Sequence, residues 1–523
     1  MNGLLFSFSR PTMKHNILIT SILLFCACCW LFTGYFEYIP SYHEQHTPLF
    51  RYSSAFIESY LSTPGGITGW ISSFISQFFI HTISAAMTLG LVFAGTFTLL
   101  SGMNKKVFGT NDSFSLALIP IIYLLIRFFR IDFIPLMLLT VTLNCIASFI
   151  WLSISQRGIK QSILSGIILL PTMYFASGIG FTILCATMLF SIVYSLFAKQ
   201  SPLPFHKQYA WSGGTFILLS LWSLFSFEII NTLTLHAEPF VAKQILAPCY
   251  VVVAMFIIGS ITHLLKANRY TAYFPYISLL IYAAIGVFAL TKTFDIREKR
   301  MIQAQYYADH QQWDQVLAIA KEYRGKNQLI NMLANIALYK TDQFQTDFFS
   351  HRQSFGLESL FIPWNGANAT QSLYGSLIYS ELGLHGEVVR RATEAMNIEG
   401  HTPSVLNQLV AAHAANGNQL AADKFGRILD QSLFYSSKAP LRKAKNETPD
   451  TNASQHFINH QNIVTDLLLI SQANPDNELV QLYITAAYIL GGYHDAAAQF
   501  AQTCKSEKPN ILIQNYIRKA GNQ

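Results

Sequence analysis

Long apolar stretches with brief polar punctuation dominate the chain up to residue 290. After Thr293 apolar positions recur every three or four residues, with polar positions between them. A helix needs roughly 20 apolar residues to cross a bilayer core. The first half offers such stretches at about 17–36, 71–100, 114–129, 133–153, 211–230, 246–265 and 272–290. The run 163–197 is too long for one ordinary span, and Ser177-Gly178 with Gly180 divides it into two short ones. The pattern therefore predicts about nine spans. The first span follows Arg10 and Lys14 and lacks a small-residue cleavage site, so it reads as an uncleaved span rather than a signal peptide.

The second half predicts paired amphipathic helices. Residues 301–322 read as two short helices separated near His310-Gln311, and 329–339 as another. The clearest unit runs from Leu373-Tyr374 through Leu377 to Glu381-Leu382-Gly383, followed by Val388-Val389, Ala392 and Ala395. It returns as Val405-Leu406 to Asn416-Gly417, then Ala421-Ala422 and Phe425. A third copy is Leu482-Tyr483 to Gly491-Gly492, then Ala496-Ala497 and Phe500. Gly383 and Gly417 lie 34 residues apart, which is the tetratricopeptide period. The stretch 435–455, with Pro440 and Pro449, reads as a long loop. The expected fold is all-α: a polytopic transmembrane domain over 1–291, then a soluble tetratricopeptide-like repeat domain over 292–523.

Composition sharpens this picture. Hydrophobic residues form 51% of the 523 and charged residues 12%, against roughly 25% charged in an ordinary globule. The net charge of +7 does not mark a nucleic-acid binder, because the bases sit singly or in pairs beside apolar runs, as topology signals do. With the N-terminus inside, ten basic residues flank the spans on the cytoplasmic side. Only Arg51, Arg127, Arg130 and Lys243 fall on the other side. Nine spans then carry the C-terminal domain out of the cytoplasm. Cys504 is alone in that domain, so no internal disulfide is expected there.

No phosphate-binding loop, His-Glu-x-x-His or Gly-x-Ser-x-Gly motif is present. The candidate chemistry lies near the membrane surface. Glu37, Glu44 and Glu58 in the first outer loop, and Glu228 at a span end beside His236 and Glu238, are the candidate acids or bases. Arg51, Arg127 and Arg130 are candidates for a lipid head group or phosphate, with Asp132 as the competing partner of the last two. His43 and His46 have no metal-ligand context beyond nearby acids, so neither a metal nor a cofactor is expected.

Glu44-Gln45, Leu49-Phe50, Tyr60, Pro64-Gly65-Gly66-Ile67 and Phe74-x-x-Gln77-Phe78-Phe79, joined to Tyr306-Tyr307, Trp313 and the helix pairs, resemble an uncharacterised family of multi-pass proteins from Bacteroidota. The resemblance implies an inner-membrane location with the helical domain in the periplasm, and no activity. The expected role is a membrane-embedded scaffold or assembly factor for the cell envelope, contacting membrane lipids and holding a protein partner through residues 292–523. The alternative is a lipid-linked glycosyl- or phospho-group transferase. Such enzymes usually carry an aspartate in the first outer loop, and this chain has only glutamates there. A transporter fits less well, because the spans hold little charge and show no inverted repeat of broken helices.

Overall fold

The computed structural model describes residues 13–109, 114–197, 203, 239–264, 274–293, 295–362, 367–446, 463–473 and 475–521. All regular secondary structure among them is helical. The chain forms two compact units. One comprises Met1–His43 and Ser53–Phe294; the other comprises Glu44–Tyr52 and Asp295–Gln523.

The first unit contains α1 (Met13–Gly34), α2 (Tyr38–Gln45, whose last two residues belong to the other unit), α3 (Ser54–Leu61) and α4 (Gly66–Ser76). They are followed by α5 (Thr82–Phe108), α6 (Leu118–Phe128), α7 (Pro135–Ser155), α8 (Ile159–Ser177) and α9 (Thr182–Phe197). Helices Pro239–Leu264 and Phe274–Thr293 complete it. α1 packs along α5, α5 against α7, and α7 against α8 and α9. Phe32, Phe93, Phe128 and Trp151 fill the interior, while Leu18, Ile22, Leu23, Leu91, Leu164, Ile167 and Phe175 are exposed. An outward apolar surface of this kind suits lipid rather than water. Several buried hydroxyls bond to carbonyls of their own helices, as Ser177 does to Met173 at 2.8 Å and Thr187 to Ile183 at 2.8 Å. That satisfies polar groups where no water is at hand.

Four helices among the described residues are long and apolar enough to cross a membrane: Asn16–Gly34, Thr82–Phe108, Pro135–Ser155 and Ile159–Ser195. Two stretches read as spans are shorter or differently divided. The expected span 71–100 breaks at His81, whose extended backbone (φ −113°, ψ 130°) separates the short apolar helix Gly66–Ile80 from α5. The stretch 114–129 forms an apolar helix of fewer than 18 residues, Phe114–Phe128. The stretch 246–265 falls within the helix Pro239–Leu264. The run 163–197 does break at Ser177-Gly178, through a single 3-10 turn. Even so, α8 and α9 do not pack side by side as a hairpin, and the run stands as one candidate crossing. The expected span at 211–230 lies outside the described residues.

The Pro64-Gly65-Gly66 turn explains how α8 can end inside this unit. Its C-terminal carbonyls lack helical partners, and the turn supplies them. Gly65 N–H donates to Phe175 O at 2.9 Å and Thr68 Oγ1 to Ala176 O at 2.7 Å. Gly65 takes φ +88°, and a Cβ on Gly66 would lie 1.7 Å from Tyr60 O. Two glycines are therefore required where backbone meets backbone.

The second unit is an array of helical hairpins built on one turn. Ile296–Asp309 pairs with Trp313–Glu322, Gln328–Lys340 with Phe344–Asp347, and Ala369–Glu381 with His385–Glu399. Pro403–Ala415 pairs with Gln419–Leu429, and Glu478–Leu490 with His494–Thr503. Each turn holds a residue at positive φ: Gln311, Asp342, Gly383, Gly417 and Gly492, between 57° and 80°. The next residue's N–H then reaches back to the first helix, always at 2.8 Å, as Leu384 does to Tyr379 O and Asn418 to His413 O. This closure satisfies carbonyls at the helix end. A continuous core including Leu333, Ile336, Phe344, Tyr379, Leu409, Tyr483 and Ile484 runs through the array. The stretch expected to be a loop at 435–455 instead contains the helix Lys438–Asn446, with Pro440 in its first turn, where a proline is tolerated. Residues 447–462 lie outside the described residues.

Candidate functional site

The segment Glu44–Tyr52 departs from the helical pattern because Thr47-Pro48 stops α2. Proline has no N–H to continue a helix and pushes the preceding residue out of helical conformation. The extended chain beyond it lies on the hairpin array. Leu49 N–H donates to His401 O at 2.9 Å and Tyr52 N–H to Gln431 O at 2.9 Å. The Leu49 side chain is buried with Leu406, Val410 and Leu429. Gln45 Oε1 accepts from Ser404 Oγ, and His46 Nδ1 lies 2.9 Å from Glu399 Oε2.

Glu44 is the most constrained of the sequence candidates. Its side chain is 2% exposed; Tyr435 Oη donates to it at 2.7 Å and Gln45 Nε2 at 2.9 Å. Burial pushes its pKa up to about 8, the Tyr435 hydrogen bond opposes the shift, and the charge of Asp309 adds to it. At neutral pH Glu44 is mostly a protonated acid held inside protein. Arg51 belongs to the same segment; burial, together with the charge of Arg51, holds His401 below the usual histidine range.

The other candidates belong to the first unit. Glu37 lies in the turn between α1 and α2, and Glu58 is exposed on α3. Arg127 and Arg130 both pair with Asp132, at 3.2 and 3.7 Å. His43 Nε2 donates to Phe128 O at 2.8 Å and packs against the Phe128 and Phe133 rings. Glu228 lies outside the described residues. Among the described residues no three His, Cys, Asp or Glu side chains are grouped to hold a metal.

Among the described residues of the second unit, two clefts bear on this question. The larger, about 790 Å³, is lined by residues between Asp314 and Gln353, including Lys321, Arg324, Asn331 and Arg352. The smaller, about 380 Å³, includes Asp309, Ser376, His385 and Gln408. The sequence reading did not find Tyr435, Ser404, Glu399 or the basic cleft. Each lies far along the chain from its partners or looks like an ordinary surface residue.

The class these features define is an all-helical protein that combines helices able to cross a membrane with an array of helical hairpins. The chain belongs to DUF6057, a family of unknown function whose model matches residues 14–515. No curated protein and no solved structure matches it.

Proposed function

We propose that this protein is a membrane-embedded scaffold or assembly factor for cell-envelope biogenesis, whose helical unit holds a protein partner. The observation that carries the reading is the docking of Glu44–Tyr52. An extended stretch lies on the hairpins through two backbone hydrogen bonds, a buried leucine and the Gln45 and His46 side chains. A hairpin array that holds one extended segment has the chemistry to hold another. Its tetratricopeptide-like character rests on the 34-residue spacing and the shared turn. Stacked repeats of that kind offer long concave surfaces to peptides.

In this reading the protein sits in a bacterial inner membrane in contact with its lipids, crosses it about nine times, and carries the helical unit in the periplasm. Residues Glu44–Tyr52 follow the first span and share a unit with Asp295–Gln523, which supports an even number of crossings between them. The sequence count has eight. Counting Ile159–Ser195 once leaves seven, and evenness then requires the short helix Gly66–Ile80 to cross or Phe114–Phe128 not to.

The transferase alternative draws on the raised pKa of Glu44, which is suited to a general acid. A transporter remains the third reading. A pull-down of the detergent-solubilised protein from its native membrane, with mass spectrometry of proteins and lipids, separates them. The scaffold reading expects a stoichiometric protein partner that is lost when residues 292–523 are deleted. A polyprenyl- or sugar-linked lipid that survives the deletion, with no protein partner, would favour the transferase.

A further inference from the structure

The larger cleft of the second unit carries more bases than acids. Its volume of about 790 Å³ falls within the roughly 300–1,000 Å³ of ordinary ligand sites. Lys321, Arg324 and Arg352 line it, and none of the three pairs with a carboxylate among the described residues. Glu322, next to Lys321 in the chain, is committed to Arg300. Asp314 and Asp347 also line the cleft, so three bases stand against two acids, and a bound carboxylate adds countercharge where the bases are in excess.

The cleft also holds a donor without an acceptor. Asn331 Nδ2 is sealed from solvent and has no hydrogen-bond partner among the described residues. A buried amide in that state is costly, and a ligand oxygen removes the cost. Its neighbours are already satisfied: Asn335 Nδ2 donates to Gln353 Oε1 at 3.3 Å, and Gln353 Nε2 donates back to Asn335 Oδ1 at 3.0 Å. The site therefore offers three cations and, on a turn of the Asn331 side chain toward the cleft, an amide N–H with no other partner among the described residues, on an ordered polar floor.

The lining also selects the kind of anion. Asp314 and Asp347 share the cleft, so a compact polyanion such as pyrophosphate would bring its charge close to both. Carboxylates spaced along a chain can each meet one base and avoid the acids. A peptide also supplies backbone carbonyls for Asn331.

We propose that this cleft binds an acidic peptide segment of the protein partner, with its carboxylates on Lys321, Arg324 and Arg352 and a carbonyl on Asn331. The proposal rests on the scaffold reading and names where, and by what chemistry, the partner is held.

The test uses the full chain in detergent and a dye-labelled hexaglutamate followed by fluorescence anisotropy. The wild type should bind it, more weakly at higher salt. Combined Lys321→Gln, Arg324→Gln and Arg352→Gln, all at exposed positions, should weaken binding about tenfold or more. Combined Lys424→Gln, Arg427→Gln and Lys438→Gln, exposed bases elsewhere on the unit, should bind as the wild type does. Asn331→Ala should weaken binding without changing charge. No binding by the wild type, or equal loss in the two triple variants, overturns the proposal. So does pyrophosphate binding more tightly than the peptide at the same residues. In the pull-down, a partner retained equally by wild type and the cleft variant sinks this inference but leaves the scaffold reading standing. A wild type with no partner sinks the scaffold reading itself.

Discussion

Glu44 accepts hydrogen bonds from Tyr435 and Gln45 in surroundings almost closed to solvent, with Asp309 close enough to oppose its charge. Its pKa of about 8 in the folded chain stands against 4.5 for an unperturbed side chain. Between those values the folded state holds a proton that the unfolded state has lost, so stability falls as pH rises through this window. Below it the group imposes no penalty; above it the penalty is complete. Glu44→Gln keeps the shape and removes the titration. Thermal melts of the full chain in detergent should therefore lose less stability from pH 5 to pH 8.5 in the variant than in the wild type. Every other ionisable group is common to both proteins, so the difference between the two curves isolates Glu44. Parallel curves would show that Glu44 is not protonated in the folded chain. The carboxylate itself was legible in the sequence as a candidate. Its environment was not, because Tyr435 is 391 residues away.

The hairpin turn is the recurring element of the second unit, and it demands one left-handed residue. Glycine meets that demand freely at 383, 417 and 492, whereas Gln311 and Asp342 adopt φ 57° and 58°. A side chain in this region costs about 1 kcal/mol or more. Gly417 has open space around its missing Cβ, so Gly417→Ala should destabilise by about 1 kcal/mol through the backbone alone. Gln311→Gly should shift stability the other way by a smaller amount, since glycine's greater freedom in the unfolded chain offsets part of the relief. Chemical denaturation followed by circular dichroism checks both signs. The same element shows why one of the five hairpins among the described residues was not legible. Glycines mark three of the turns, and the apolar periodicity on either side of His310-Gln311 marks a fourth. The hairpin at Asp342 lacks both marks, and only the common closure to the first helix reveals it.

At the scale of the molecule, the docking of Glu44–Tyr52 ties the stretch after the first span to the C-terminal helices. Both should face the same side of the membrane, which in the proposed reading is the periplasm, the side the basic flanks favour. Single cysteines at Ser62 and Asp495, both exposed, in a cysteine-free background report this directly. Both should react with a membrane-impermeant maleimide in intact spheroplasts. Labelling of one without the other would break the shared-side argument. Labelling of both only after lysis would keep the shared side and reverse the orientation.

The apolar runs before residue 291 and the three-to-four periodicity after Thr293 determined that the chain is helical, membrane-like in its first part and amphipathic in its second. Those properties are local: a helix face or a span is written in neighbouring residues, so periodicity and length suffice to see it. Tertiary structure alone decided that Pro64-Gly65-Gly66 caps the end of α8, that Leu49 fills a hollow beside Leu406, and that Lys321, Arg324 and Arg352 share one cleft. Those contacts join residues separated by tens to hundreds of positions. What selects them is the burial of particular apolar side chains and the satisfaction of particular carbonyls, neither of which leaves a periodic trace in the sequence.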